Sequence, residues 1–278
     1  MTAGPIRIAS PDDPRIAAYA SSRERDLVGR EGLFIAEGKV VLNVLFAARR
    51  FEALSALILE NRLDGMRDRL ALAPPDMPVY VASQDVLDRI AGFHLHRGIL
   101  ALGRRRQAPE APALLASLPA DALVLGLVGI SNHDNIGAIF RNAAAFEADA
   151  VILDRRCCDP LYRKAIRVSV GATLKVPFAR TEDEGTMLAH LAGAGFECLA
   201  LSPRGAVDIA DLRPGRRSAL LLGTEGEGLP EAVMARAKTV RIAMSGEFDS
   251  LNVAAASAIA LHRLWRGVSA PPPPSGAP

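Results

Sequence analysis

Cysteine is scarce in this chain. Three occur in 278 residues, Cys157 and Cys158 side by side and Cys198 apart, with no C-x-x-C spacing. That excludes a disulfide scaffold and leaves no zinc or dithiol motif, and an adjacent pair reads as structural. Long apolar runs are also missing: none approaches the roughly 18 residues that span a bilayer. The opening M-T-A-G-P-I-R-I-A-S lacks the charged-then-apolar order of a signal peptide. The expectation is a cytoplasmic protein with no membrane partner. Nor does one sign of charge dominate, since 33 Lys+Arg face 31 Asp+Glu. Residues 1–110 carry 16 cations against 14 anions and residues 111–278 carry 17 against 17, so neither half is a basic domain. Bulk charge identifies no nucleic-acid binder, and any RNA site must come from local patches. Of the cations only Lys39, Lys164, Lys175 and Lys238 are lysines. Arginine forks suit phosphate, but compositional bias explains that excess first.

Several cofactor signatures are absent as well. Without G-x-x-x-x-G-K-[ST] the chain is no P-loop NTPase. The strand ending G-L-V-G-I-S-N lacks the G-x-G-x-x-G of dinucleotide folds, which speaks against a nicotinamide oxidoreductase. His94, His96, His133, His190 and His262 form no H-E-x-x-H, and the first two read as satisfied or exposed histidines. No metal site is expected.

What is present is a repeated alternation of strands and helices. In the N-terminal part strands are expected from Gly32, at Ala56–Leu59, Val79–Val81 and Ile99–Leu102. Helices are expected after Gly38, at Asn61–Leu72 and at Gln84–Ile90. The pattern repeats at larger scale after a proline-containing stretch. Strands are expected at Leu123–Gly129, Ala150–Leu153, Leu174–Phe178, Glu197–Leu201, Ala219–Leu222 and Val240–Ile242. Helices fit Ile136–Phe146, Tyr162–Val170, Glu184–Ala194, Glu231–Ala237 and Ser250–Trp265. Continuous apolar strands covered by helices indicate an α/β fold, a mostly parallel sheet with helices on both faces. The implied organisation is an N-terminal extension (1–19), a small α/β domain (20–105), a linker (106–121), a larger domain (122–267) and a disordered tail (268–278).

Three polar segments sit where strands end, which is where such sheets bind ligands. Asn132–Phe146 places Asn135 where a helix begins and Arg141 nearly two turns later; alone, a capped helix with a surface arginine explains it. Leu220–Pro230 packs three glycines around Glu225, more suggestive of a site than of a tight turn. Ile242–Ala258 runs from a strand end through a polar loop to a helix opened by Ser250, with Asn252 in its first turn.

In this order and spacing the three segments resemble the signature motifs of the SpoU (TrmH-like) family of RNA ribose methyltransferases, in the SPOUT superfamily. The resemblance runs from about Ala122 to Trp265 and includes C-D-P-L-Y-R-K-A-I-R-V-S-V-G-A. More loosely, the N-terminal half is similar to the family's RNA-binding extension. The resemblance implies a C-terminal trefoil knot, a rare exception to the no-knot rule. It implies S-adenosylmethionine as cofactor, a homodimer, and ribosomal or transfer RNA as partner. The residues matching the active-site positions are Asn135, Arg141, Glu225, Ser250 and Asn252. Those matching the cofactor loops are Leu222, Gly223, Thr224, Glu225, Gly226, Gly228, Ile242, Met244, Ser250, Leu251 and Asn252. Ala243 stands where the family usually has proline, and Glu147 where it often has glycine. The implied reaction is methylation of a ribose 2′-hydroxyl, most readily in ribosomal RNA. The same reaction on transfer RNA, or a non-catalytic RNA-binding relative, stays open.

Overall fold

The computed structural model describes residues 4–20, 24–106, 108–245, 250–265 and 267, so the expected disordered tail at 268–278 lies outside the described residues. The first part contains β1 (Ile6–Ile8), α1 (Glu24–Glu31), β2 (Leu33–Glu37), α2 (Lys39–Ala47), β3 (Phe51–Leu59), α3 (Arg67–Leu70), β4 (Val79–Ala82), α4 (Gln84–Ala91) and β5 (Ile99–Arg105). Its five strands form a mixed sheet in the order β1-β4-β3-β5-β2. The second part runs α5 (Ala111–Ala116), β6 (Ala122–Leu127), α6 (His133–Ala145), β7 (Ala150–Asp154), α7 (Arg163–Val168), α8 (Ala172–Lys175) and β8 (Phe178–Thr181). It continues α9 (Glu184–Gly193), β9 (Glu197–Leu201), β10 (Val207–Asp208), β11 (Arg217–Leu222), α10 (Glu231–Met234), β12 (Lys238–Arg241) and α11 (Val253–Leu264). Here the order is β10-β12-β9-β11-β6-β7-β8, and neighbouring strands are parallel throughout.

The runs A-L-V-L-G-L and A-V-I-L-D are wholly buried because both faces of this sheet are covered. Successive side chains leave a strand on opposite sides. Val124, Ile152 and Leu221 therefore meet Leu114 and Leu115 of α5, Leu191 of α9 and Val233 of α10. Leu125, Val151 and Leu220 meet Ile139 and Phe140 of α6, Ile166 of α7 and Leu261 of α11. That second core continues without a break into the first sheet's Phe34, Leu42, Leu45 and Phe51.

Three arginines fasten the two sheets together. Arg50 donates to the carbonyls of Lys175 (3.1 Å) and Val176 (2.9 Å) and lies over the rings of Phe51 and Phe178. Arg105 grips both oxygens of Asp159 at 2.9 and 3.0 Å. Arg163 donates to the buried Glu37 carboxylate at 2.9 Å.

Several local expectations need correction. Leu174 and Lys175 belong to a helical turn, and the strand begins at Phe178. Pro177 has no N–H to donate, and short apolar runs do not separate helix from strand. The helix expected at 61–72 is two 3-10 turns and the one-turn α3, with Gly65 and Asp64 weakening any longer helix. β3 starts at Phe51, five residues before the expected Ala56, with a register shift between Ala53 and Ser55. Within residues 4–20, β1 pairs in parallel with β4, and the buried Tyr19 hydroxyl hydrogen-bonds the Ser55 hydroxyl at 2.7 Å. Residues 111–116, inside the expected linker, form α5 and bury Leu114 and Leu115.

Two non-glycine residues hold left-handed backbone, Glu147 (φ 54°) and Val170 (φ 55°). Trp265 donates its indole N–H to the Glu147 carboxylate at 2.9 Å. Val170 follows α7 and is β-branched, which makes this conformation costly. Its side chain is 37% exposed, so little burial offsets the strain. Val170→Gly is expected to stabilise the protein by about 1 kcal/mol, less than the full left-handed penalty because glycine frees the unfolded chain. A lowered thermal midpoint in calorimetry would contradict this.

Candidate active site

The carboxyl ends of β9, β11 and β12 open onto one cavity of about 300 Å³. Its position follows from register. Leu222, last residue of β11, pairs with Leu127 at the end of β6, while the preceding Leu221 pairs with Ala200 of β9. The loops leaving these strands therefore emerge together. Leu222, Gly223, Thr224, Glu225, Gly226, Gly228, Ile242, Met244, Ser250, Leu251 and Asn252 all line the cavity.

The loop after β11 folds back on itself. Thr224 and Gly228 exchange backbone hydrogen bonds at 3.1 and 3.2 Å. A β-carbon on Gly223 would lie 2.2 Å from the Gly228 carbonyl carbon, so any side chain there would break this turn. Gly226 takes a φ of 97°, which favours glycine.

Across the cavity rim three side chains join. Asn135, third residue of α6 and buried, donates to the Glu225 carboxylate at 2.7 Å. Asn252 donates to the same Glu225 oxygen at 2.7 Å and to the Asn135 carbonyl at 3.1 Å. The Asn252 carbonyl meanwhile accepts from the N–H groups of Ala254 and Ala255, capping α11. Asn252 is thus the cap before the helix and not part of its first turn, and Ser250 precedes it as an exposed residue. Similarly, the cap of α6 is Asn132, which leaves the Asn135 amide free to tie the motifs together. Alongside, Asn142 of α6 donates to the Ala254 carbonyl (2.8 Å) and the Ser257 hydroxyl (2.9 Å). The small residues of α11 permit that close approach.

Arg141 stands apart from this cluster. It is exposed on α6 and has no hydrogen bond or ion pair among the described residues. Neither cysteine of the adjacent pair acts as a nucleophile: Cys157 hydrogen-bonds the Leu127 carbonyl, and burial pushes both thiols up, Cys158 to about 12. His94 pairs with Asp88 at 2.7 Å on the surface.

The model of the SpoU rRNA Methylase family matches residues 122–262. A Mycobacterium bovis protein named an uncharacterized tRNA/rRNA methyltransferase is 41% identical over 268 residues, 93% of this chain and 91% of that one. The chain belongs to the SpoU methylase family. It is an S-adenosylmethionine-dependent RNA methyltransferase at that level of description. A solved RNA 2′-O ribose methyltransferase is 26% identical with a TM-score of 0.74, covering 94% of this chain and 98% of that one. The AdoMet-bound SpoU methyltransferase AviRb of Streptomyces viridochromogenes shares the fold at a TM-score of 0.77 and 22% identity, over 91% of this chain and 97% of that one. No helix among the described residues of the methylase is long and apolar enough to cross a membrane.

The methylase cavity suits the family's cofactor on chemical grounds. Leu222, Ile242, Met244 and Leu251 offer apolar walls for an adenosyl group. No lysine or arginine lines it among the described residues, and its one carboxylate is Glu225. A ligand carrying a sulfonium and an ammonium fits that balance, whereas a pyrophosphate would face no positive charge. Sequence reasoning missed Leu201, Ser202, Pro203, Val253 and Ala256 in the wall. The strand-end rule that pointed to the other loops applies equally to L-S-P after β9 and was the available signal.

Glu225→Ala removes the acceptor shared by Asn135 and Asn252 and leaves a buried amide short of a partner. The expected loss is about 1–2 kcal/mol of stability, together with weaker cofactor binding. Glu225→Gln, which keeps an acceptor oxygen, should retain more of both. Thermal melts and calorimetric titration of the methylase with S-adenosylmethionine provide the check; equal behaviour of wild type and alanine variant would refute the role.

Proposed function

We propose that the chain transfers a methyl group from S-adenosylmethionine to a ribose 2′-hydroxyl, with ribosomal RNA as the first expected target and transfer RNA the second. The observation that carries this reading is the Asn135–Glu225–Asn252 cluster, which ties the start of α6 to the cofactor cavity. The resemblance of the three motifs to ribose methyltransferases supports it. So does the name of the 26%-identical RNA 2′-O ribose methyltransferase.

S-adenosylmethionine, when bound, supplies an electrophilic methyl group on sulfur. This chain's residues have two remaining tasks: to bring the hydroxyl oxygen into line and to stabilise it as its proton leaves. Arg141 takes the second task. A guanidinium stays protonated, so Arg141 acts as an oxyanion stabiliser and phosphate clamp, the proton leaving through phosphate or water. Both ends of the Asn135 amide are engaged, so Asn135 is a positioning residue that holds α6 against the loop. Glu225 orders both asparagines, and Ser250 shapes the rim of the ribose pocket. The eleven cavity residues from Leu222 to Asn252 that match the family's cofactor loops hold the adenosyl and methionine parts.

The same reading includes a trefoil knot in the last third of the chain and an RNA-binding role for the first sheet. The knot is supported by β11, which inserts between β9 and β6, strands laid down earlier in the chain. A homodimer completes the reading, supported by the apolar residues Leu251, Ile259 and Trp265 exposed on and beside α11. Light scattering should return about twice 29.5 kDa, and a monomer at micromolar concentration would count against the dimer.

The function is tested by incubating the protein with S-adenosylmethionine and RNA from cells lacking the gene, then mapping the modified nucleoside. A 2′-O-methylated nucleotide in ribosomal RNA is expected; a methylated base sinks the proposal. In the same assay under single-turnover conditions, Arg141→Ala should lower the rate on the order of 100- to 1000-fold while cofactor affinity holds. Arg141→Lys should rescue poorly, because an ammonium lacks the planar fork. Near-normal turnover in folded Arg141→Ala would reduce Arg141 to a surface residue.

A further inference from the structure

Most interior and junctional cations of this protein are spoken for. Arg50, Arg105, Arg156, Arg163 and Arg180 each meet a carboxylate or backbone carbonyls. One groove is an exception. It has a volume of about 630 Å³ and lies where the first sheet meets α7. Lys39, Arg62, Arg97 and Arg167 line it, all exposed, and none has an ion pair or side-chain hydrogen bond among the described residues. No carboxylate lines it among those residues either. In a chain with a net charge of only +2, four uncompensated cations around one cleft concentrate positive potential locally.

The groove is built from both parts of the molecule. Lys39 is the first residue of α2, and the preceding Gly38 offers no side chain to cap that helix. The Arg97 guanidinium lies against Gly38, 3.1 Å from where a β-carbon would stand, so glycine makes room for it. Arg62 comes from the turn after β3 and Arg97 from the segment before β5. Arg167 comes from α7, in the other part. α7 is in turn fixed to the site helix. Lys164 pairs with Asp134 at 2.6 Å, and a β-carbon on Gly137 would come within 2.8 Å of the Ala165 carbonyl. Whatever Arg167 holds is therefore held at a set position relative to α6.

Beside the cations stand two exposed rings. His96 lines the groove, and Phe93, 52% exposed, sits three residues before it with the Arg163 guanidinium 5.3 Å from its ring centre. Rings interleaved with free cations suit an unpaired RNA strand, whose phosphates meet the cations and whose splayed bases stack on the rings. A duplex keeps its bases stacked inside and has no use for the rings.

We infer that this groove seats a looped, single-stranded segment of the substrate RNA, gripped through its phosphates by Lys39, Arg62, Arg97 and Arg167 and stacked on His96 and Phe93. The inference rests on the RNA-methylating role of the chain and says where, outside the cofactor cavity, the substrate is held. Its test measures binding without methyl transfer. The full chain is titrated with a fluorescein-labelled RNA stem–loop over a range of salt, beside Arg62→Gln/Arg167→Gln, Phe93→Ala and the control Arg155→Gln. Arg155 is an exposed cation paired with Glu182.

The double variant should bind roughly tenfold or more weakly, and its log–log salt slope should flatten by about 2, one per lost phosphate contact. Phe93→Ala should weaken the stem–loop but not a blunt duplex, and Arg155→Gln should match wild type. In the methylation assay the double variant should raise KM and leave kcat unchanged. Affinity and slope unchanged in the double variant would overturn the seat. Equal loss on stem–loop and duplex in Phe93→Ala would overturn its preference for unpaired strands. If the groove variants lose RNA binding while the wild type methylates a base, the seat stands and the ribose reading falls; ribose methylation with an unchanged slope does the reverse.

Discussion

β11 has to enter the sheet between two strands that precede it in the chain. On one side it pairs with β6 from Arg217↔Ala122 to Leu222↔Leu127, and on the other with β9 from Ser218↔Glu197 to Leu221↔Ala200. Gly126 makes the fit possible, since a β-carbon there would lie 2.5 Å from the Leu221 side chain. A slip of one residue would exchange Leu220 and Leu221 between the two cores, so burial on both faces locks the register. With the register locked, the loop after Leu222 emerges beside Gly129, whose missing side chain admits Thr224. Glu225 then reaches Asn135 and Asn252. The polar cluster is thus a consequence of strand insertion: the sheet sets where the three motifs end, and the hydrogen bonds close the remaining gap.

The same economy governs the junction between the two sheets. One core runs across it, and the charged groups buried there are paired or directed at carbonyls, as unpaired burial would be costly. Arg50 covers the end of α8 while its guanidinium rests on two phenylalanine rings. A rigid junction matters for an enzyme acting on a large, flexible polymer. Contacts made on the first sheet can position RNA at the second only if the two keep a set relation. The groove of free cations lies on this junction, and α7 carries both its Arg167 and the Arg163 that binds Glu37.

Part of this protein was written in the sequence. The strand cores at 123–127, 150–153, 197–201 and 219–222 were readable because buried parallel strands are continuous apolar runs, a local property. The cavity loops were readable because strand ends are where such sheets bind ligands, and because the glycines and polar residues there are contiguous. The order of the motifs carried the family. Tertiary structure decided the rest. Nothing local distinguishes Leu174–Phe178 as a turn followed by a strand, and pairing β1 with β4 depends on residues some 70 positions apart. Asn135 and Glu225 are 90 residues apart, and Asn135 and Asn252 are 117 apart, so their shared hydrogen bonds exist only once β11 is seated. The near-neutral charge count hid the groove for a similar reason: pairing elsewhere removes most cations from play, and only folding shows which four are left facing one another. Periodicity and turn chemistry act over a few residues and can be read along the chain, whereas side-chain partnership is a matter of distance in space.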